Sequence, residues 1–340
     1  MLFWNLSTAE GRKNNFENKQ NGKTIYMRVS VLVPVYGVEK YISECAESLF
    51  RQTYKDVEYI FCNDSTKDRS MEILQEVINR HPERAESVRI LSNERNVGLG
   101  ASRSRLLKEV RTEAFTIVDS DDILPADAIA TLVECMEREQ TDIVEGAYAD
   151  SFHGSLSEPK KPFHGSQKRY LRALQCQNVI RHRVWGKLYR TEVLARIDGL
   201  FQEGIDYCED LCATVRLAAV TTRSCTDRVV YHYRTDNISS YTKTVSEKSI
   251  RSYFRAQAEI LRFYHFRGHI HLAVEIGLLN SFRECHNSKI PLTLADEITR
   301  YVPQNTTARL LYPLLRSHGL AFRLGDLLYR IVRLLLTIGR

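Results

Sequence analysis

Between Met27 and Val118 the chain alternates β-branched apolar runs with helical apolar stripes, and this alternation limits the fold more than any other feature. VSVLVPV at 29–35 is an almost unbroken apolar run, as expected of a strand buried on both faces. Val38, Tyr41, Ile42, Cys45, Leu49 and Phe50 then recur at helical spacing. VEYIFC (57–62) reads as a second strand, and Ile73, Leu74, Val77 and Ile78 as a second helix ended by His81-Pro82. VRILS (88–92), a helix from Leu99 to Val110, and AFTIV (114–118) complete the series. Strands separated by helices imply right-handed crossovers and a parallel sheet, hence an α/β fold. Ligands of such sheets bind outside the carboxyl ends of the strands. The polar residues expected there are Tyr36 and Glu39, Asn63-Asp64-Ser65, Asn96-Val97-Gly98 and Asp119-Ser120-Asp121-Asp122.

The acidic run is the sharpest chemical signal. Three carboxylates within four residues repel one another unless a cation or hydrogen-bond donors neutralise them. Hard cations such as Mg²⁺ or Mn²⁺ take oxygen ligands and bridge to substrate phosphates. The bland alternative is a helix N-terminus capped by Asp and Ser. Asn63 to Asp68 can likewise present a base- or ribose-binding Asp, or merely a capping turn. No G-x-G-x-x-G follows the first strand and no Walker-type loop is present, so neither a dinucleotide fold nor a P-loop NTPase is expected.

At 340 residues the chain exceeds one ordinary domain, and 43% hydrophobic with 26% charged residues is a globular composition. A net charge of +6 is too weak to indicate a nucleic-acid partner. The eight cysteines are scattered without zinc-site spacing, which disfavours disulfides and structural zinc and suits a reducing cytosol. Residues 1–26 are polar after Leu6 and read as a disordered leader without a signal-peptide core. No uncharged apolar run reaches the ~18 residues of a transmembrane helix.

The run from Val29 through NDSTKDRS, followed by NVGLGASRS and VDSDD, resembles the catalytic half of a family 2 glycosyltransferase, a family of inverting, nucleotide-sugar-dependent enzymes with the GT-A fold. VWGKLYRTEVL (184–194), FQEGIDYCEDLCATVRLAA (201–219) and YHYRTDNISSYT (231–242) resemble the acceptor half of its bacterial polysaccharide-building members. The resemblance runs from Met27 to Thr242. It implies that Pro34, Tyr36 and Glu39 line a nucleotide-base pocket, that Asp64 binds the base, and that Arg103 belongs to the donor site. It implies that Asp119 and Asp121 form the D-x-D, with Asp121 as the metal ligand and His232 as a second one, and that Arg234 faces the diphosphate. Glu209-Asp210 matches the E-D pair, whose Asp is the general base. The implied cofactor is Mn²⁺ or Mg²⁺, with a nucleotide-diphosphate sugar as donor and a glycan or lipid-linked glycan as acceptor. The sequence departs from the family at Gly37 (usually Asn), at Asn63-Asp64-Ser65-Thr66 (usually Asp-Asp-Gly-Ser), and around Arg103, where only the arginine of Ala-Arg-Asn is kept.

Three further readings stand beside the resemblance. Glu209 and Asp210 also suit a helix first turn ahead of Leu211, Val215 and Leu217. Trp185 and Tyr189 either stack on a sugar or belong to the core. A nucleotidyltransferase of similar fold, or a catalytically silent nucleotide-sugar-binding scaffold, are the rival functions.

The expected organisation is a leader (1–26), a GT-A domain (27–245, divided at 122 into nucleotide-binding and acceptor halves) and a helical region (246–340). Helical stripes are expected from Ser249, over Leu272 to Phe282, over Ala295 to Tyr301, and in the terminal run from Gly319 to Arg340. After Tyr301 the chain carries six arginines and one acid, Asp326. At ~100° per residue, Arg323, Arg330, Arg333 and Arg340 share one face. That helix reads either as lying on an anionic membrane surface, at the cytoplasmic face, or as packing within the protein or a homodimer.

Overall fold

The computed structural model describes residues 18–20, 23–25, 27–176, 182–237, 246–267, 272–287, 303–317 and 319–338. Two short strands precede the domain: β1 (Asn18–Gln20) and β2 (Lys23–Ile25), paired antiparallel inside the segment expected to be disordered. The residues between them in sequence are Asn-Gly, the pair most favoured at two-residue hairpins, and that signal corrects the expectation.

The expected strands are present as β3 (Val29–Val35), β4 (Val57–Asn63), β5 (Val88–Ser92) and β6 (Ala114–Ile117). They lie in the order β5-β4-β3-β6, all parallel, and every position of β3 is buried. The crossovers carry α1 (Ile42–Phe50), α2 (Ser70–Arg80), α3 (Pro82–Ala85) and α4 (Leu99–Lys108). After α5 (Ala128–Glu139), the strands β7 (Ile143–Phe152), β8 (Ser155–Leu156), β9 (Lys187–Arg190) and β10 (Arg223–Arg234) extend the sheet to β10-β7-β9-β6-β3-β4-β5. β9 runs antiparallel to both β6 and β7, while β10 runs parallel to β7. The sheet is thus parallel in its first half and mixed in its second.

A second apolar core joins the helices α6 (Gln167–Cys176), α7 (Glu209–Leu217), α8 (Glu247–His265), α9 (Leu272–Asn287), α10 (Thr306–Leu315) and α11 (Gly319–Ile338). α7 belongs to both cores. Leu211, Cys212 and Val215 face the helical cluster, and Ala213 and Leu217 face the sheet cluster. The Ser246 hydroxyl caps α8 by accepting from the Ser249 N–H at 3.1 Å. The helix expected over Ala295 to Tyr301, the last part of the 231–242 motif, and Arg340 lie outside the described residues.

Candidate active site

Val35, Asn63 and Ser92 stand in one row across β3, β4 and β5, so the loops that leave these strands start level with one another. Pro34 is a buried member of that row's neighbour, in register with Cys62. A proline fits there because the Leu32 carbonyl faces β6 while the pairing with β6 stops at Leu32 and Ile117. Pro34 has the parity of Leu32, so its missing N–H points beyond the end of β6. The turn after β3 is stitched to the turn after β4. The Gly37 N–H donates to Thr66 Oγ1 at 2.9 Å, the Glu39 N–H to Asp68 Oδ2 at 2.9 Å, and the Arg69 N–H to Glu39 Oε2 at 3.1 Å. Glu39 thereby holds a turn, and Tyr36 is left 52% exposed at the strand end. Ser65, in the place of the family's glycine, keeps the left-handed backbone that glycine favours, at φ 56°.

Asp64 is buried, and both of its oxygens are engaged. Oδ1 accepts from Asn93 Nδ2 at 2.7 Å and from the Val97 N–H at 2.9 Å, and Oδ2 from the Gly98 N–H at 3.0 Å. This carboxylate pins the loop that precedes α4, a structural task that the expected base contact did not include.

The D-S-D-D loop is built around its last member. Asp122 is fully buried, with Oδ2 accepting from the Tyr231 hydroxyl at 2.7 Å and Oδ1 from the Arg234 N–H at 2.7 Å. The Asp119 N–H donates to the Tyr231 hydroxyl oxygen at 3.1 Å, and Asn237 Nδ2 donates to Asp121 Oδ2 at 2.7 Å. Ile123 and His232 exchange backbone hydrogen bonds of 3.2 and 2.9 Å, which tie the loop to β10. Burial and the neighbouring Asp119 raise the Asp121 carboxyl. Burial, then Asp121 and Asp119, push Asp122 well above the usual range. Burial lowers the half-buried His232 imidazole, so it is neutral at neutral pH.

Arg234, expected to face a diphosphate, is engaged with the acidic loop and with α1. Its Nε donates to the Asp121 carbonyl at 2.7 Å, its Nη2 pairs with Glu44, and its guanidinium lies 4.9 Å from the Tyr41 ring. A cation so engaged shapes the acidic loop. Trp185 and Tyr189 are both core residues. Trp185 stacks on Tyr231 at 4.4 Å and on Tyr233 at 5.1 Å, and Tyr189 stacks on Phe115 at 5.0 Å.

Glu209 and Asp210 open α7 in its first turn, where the positive helix end suits them, so the first-turn reading holds locally. The tertiary structure adds Arg103. Its Nη1 donates to Glu209 Oε1 and its Nη2 to Asp119 Oδ1, each at 2.5 Å, in a buried position. Burial alone would lower this guanidinium, but the Asp119 and Glu209 carboxylates outweigh it and raise it. Burial raises both carboxyls of the Glu209-Asp210 pair, with Arg103 pulling against it in each.

Among the described residues no group of three or more His, Cys, Asp or Glu side chains is placed to hold a metal ion. Asp122 is turned inward and Asp119 is paired with Arg103, which leaves Asp121 as the carboxylate best suited to a cation. The donor set still fits Mg²⁺ or Mn²⁺. These ions keep several waters and need only one or two carboxylates when substrate phosphates complete the shell, and a cation would relieve the repulsion within the loop. Tyr231, Glu44 and Asn237 were not expected at this site, and Asp122 was expected there without its inward role. The Asp122 role was legible only as a third carboxylate in a row, since its partners come from β10.

The sequence profile of Glycosyl transferase family 2 matches residues 30–197. Over 251 residues the chain is 31% identical to the uncharacterised glycosyltransferase EpsJ of Bacillus subtilis, covering 71% of this chain and 70% of that protein. The fold is similar to that of Staphylococcus aureus TarS 1-349, solved with UDP-GlcNAc, at TM-score 0.65 and 21% identity over 92% of this chain and 93% of that one. It is also similar to the Pyrobaculum calidifontis mannosyltransferase PcManGT, solved with GDP-Man and Mn²⁺, at TM-score 0.53 and 15% identity over 93% and 88% of the two chains. The chain belongs to glycosyl transferase family 2. It is a glycosyltransferase with a GT-A fold and a helical carboxyl-terminal region.

Proposed function

We propose that this glycosyltransferase moves a sugar from a nucleotide-diphosphate donor to an acceptor hydroxyl by a single inverting displacement, in surface polysaccharide or oligosaccharide assembly. The observation that carries this reading is the Arg103 bridge, which joins the D-S-D loop to the Glu209-Asp210 pair through one buried cation. The donor lies over the carboxyl ends of β3 to β6, its base against the exposed Tyr36 and the loop that Asp64 pins. Asp210 is the general base. It takes the proton of the acceptor hydroxyl as that oxygen attacks the anomeric carbon from the face opposite the diphosphate. The bond from that carbon to the diphosphate oxygen breaks, and the diphosphate leaves with the electron pair. Burial gives Asp210 a higher proton affinity than an exposed carboxylate, which suits a base working near neutral pH.

Asp121, flanked by Asp119 and His232, would hold the Mn²⁺ or Mg²⁺ ion, which when bound supplies positive charge to the leaving diphosphate. Asp122, Tyr231 and Arg234 keep that loop in place. The UDP-GlcNAc and the GDP-Man with Mn²⁺ found in the two solved relatives support a nucleotide-diphosphate donor and a divalent ion. The acceptor is a glycan, free or lipid-linked. The seven cysteines whose side chains are described are all free thiols, which supports a reducing, cytoplasmic location. A panel of nucleotide sugars with Mn²⁺ tests the reading: release of nucleoside diphosphate supports it, and pyrophosphate release or no turnover with any donor overturns it.

A further inference from the structure

α11 is docked on one side and exposed on the other. Phe322 and Tyr329 are buried against the helical unit, and Asp326 pairs with Arg283 of α9 and with Arg330. On the opposite side Leu320, Leu324, Leu327, Ile331 and Leu334 follow at steps of four and three residues, and all are exposed, Leu320 to 82% and Leu334 to 56%. Leu328 and Leu335, also exposed, widen the row. At 100° per residue the row spans roughly 120° of the helix, and Arg323 and Arg330 run along one flank of it. A continuous apolar row of this kind needs a cover, unlike single surface leucines.

The four-three spacing would also suit a seam between two copies of the helix. Charge complementarity decides against that cover. Beside such a seam stand Arg323 and Arg330 on one side and Leu328 and Leu335 on the other, so a second copy brings arginine to arginine or to leucine. The single acid of α11, Asp326, is already spent on Arg283 and Arg330. An anionic headgroup layer supplies a counter-charge for the exposed Arg323, and its acyl boundary accepts the apolar row. No described helix is long and apolar enough to cross a membrane, which leaves α11 to lie along the surface.

We infer that α11 lies in the plane of an anionic phospholipid surface and brings the active site to an acceptor carried on a lipid. The acceptor part of this inference rests on the transferase reading; the docking does not. Co-sedimentation of the full chain with phosphatidylglycerol vesicles at low salt tests it. The expected result is strong binding that weakens in phosphatidylcholine vesicles and at high salt. Arg323→Gln should weaken binding about fivefold, the effect of one arginine near an anionic surface. Leu324→Ser with Ile331→Ser, both at the exposed surface, should reduce vesicle binding at least tenfold while sugar transfer to a soluble acceptor, read as nucleoside diphosphate release, is unchanged. Absence of vesicle binding at low salt overturns the inference. So does a dimer in solution that the Leu324 and Ile331 substitutions dissociate while vesicles remain unbound. Vesicle binding without turnover on any nucleotide sugar would support the docking and reject the transferase reading instead.

Discussion

Arg103 couples two acidic motifs that lie far apart in the chain, 16 residues from Asp119 and 106 from Glu209. Removing it leaves two carboxylates without their buried counter-charge, a change that costs ~3–5 kcal/mol when one partner of a buried ion pair is lost. Arg103→Ala should therefore lower stability by about that amount in urea unfolding, and Arg103→Lys by less, since one ammonium keeps the charge but not the two-pronged contact. Asp210→Asn keeps the shape of the base but removes its proton affinity. Turnover should fall ~10²–10⁴-fold with donor affinity unchanged, measured by nucleoside diphosphate release and by nucleotide titration. The pH profile follows from the same environment. Burial raises Asp210, and the base must be ionised, so turnover should decline with falling pH through a midpoint well above the ~4 of an ordinary Asp. For stability the sign is opposite. A carboxyl that holds its proton more tightly when folded supports the fold below its unfolded pKa and loses that support as pH rises through the folded one. A turnover midpoint near pH ~4 would remove Asp210 from the role of base.

Among the elements, the loop from Asn93 to Gly98 shows how much of a binding surface can hang on one carboxylate. Three hydrogen bonds to Asp64 set its path, and Gly98 holds a φ of 92° under the Asp206 side chain. A Cβ at Gly98 would collide with the Asp206 carboxylate, in a backbone region that L side chains rarely adopt. Gly98→Ala should cost ~1 kcal/mol or more in thermal unfolding and weaken nucleotide binding, with a smaller effect on the rate once donor is saturating. Binding unchanged in calorimetry would show that the donor does not meet this loop. α7 carries a comparable constraint, since its first turn holds the E-D pair and its body is clamped between two cores.

For the molecule as a whole, the boundary expected at residue 245 separates stretches of sequence but not independent packing units. Leu211, Cys212 and Val215 of α7 pack in the helical cluster, and the Tyr264 hydroxyl of α8 donates to the Val215 carbonyl at 3.0 Å. A chain ending at 245 keeps every quoted motif, yet it exposes that face of α7 and should lose both cooperative unfolding and transfer. Full activity of such a chain would mean that the helical region does not support the site. The strands β3 to β6, their parallel order and the polar residues at their ends were legible in the sequence, because a strand buried on both faces must be continuously apolar and crossover helices permit little besides parallel pairing. The acidic loop stood out for an equally local reason, since like charges in a short run need a neutralising partner, whereas the E-D pair was marked out by the family resemblance. Which partner each one has was decided only in three dimensions. Arg103 reaches Asp119 and Glu209, Arg234 turns to Glu44 rather than to open space, Asp64 spends its oxygens on a loop, and Trp185 and Tyr189 enter the core. Periodicity reports which face of an element is buried, but hydrogen bonds and ion pairs between distant segments depend on how the elements cross, and no local pattern of residues encodes that.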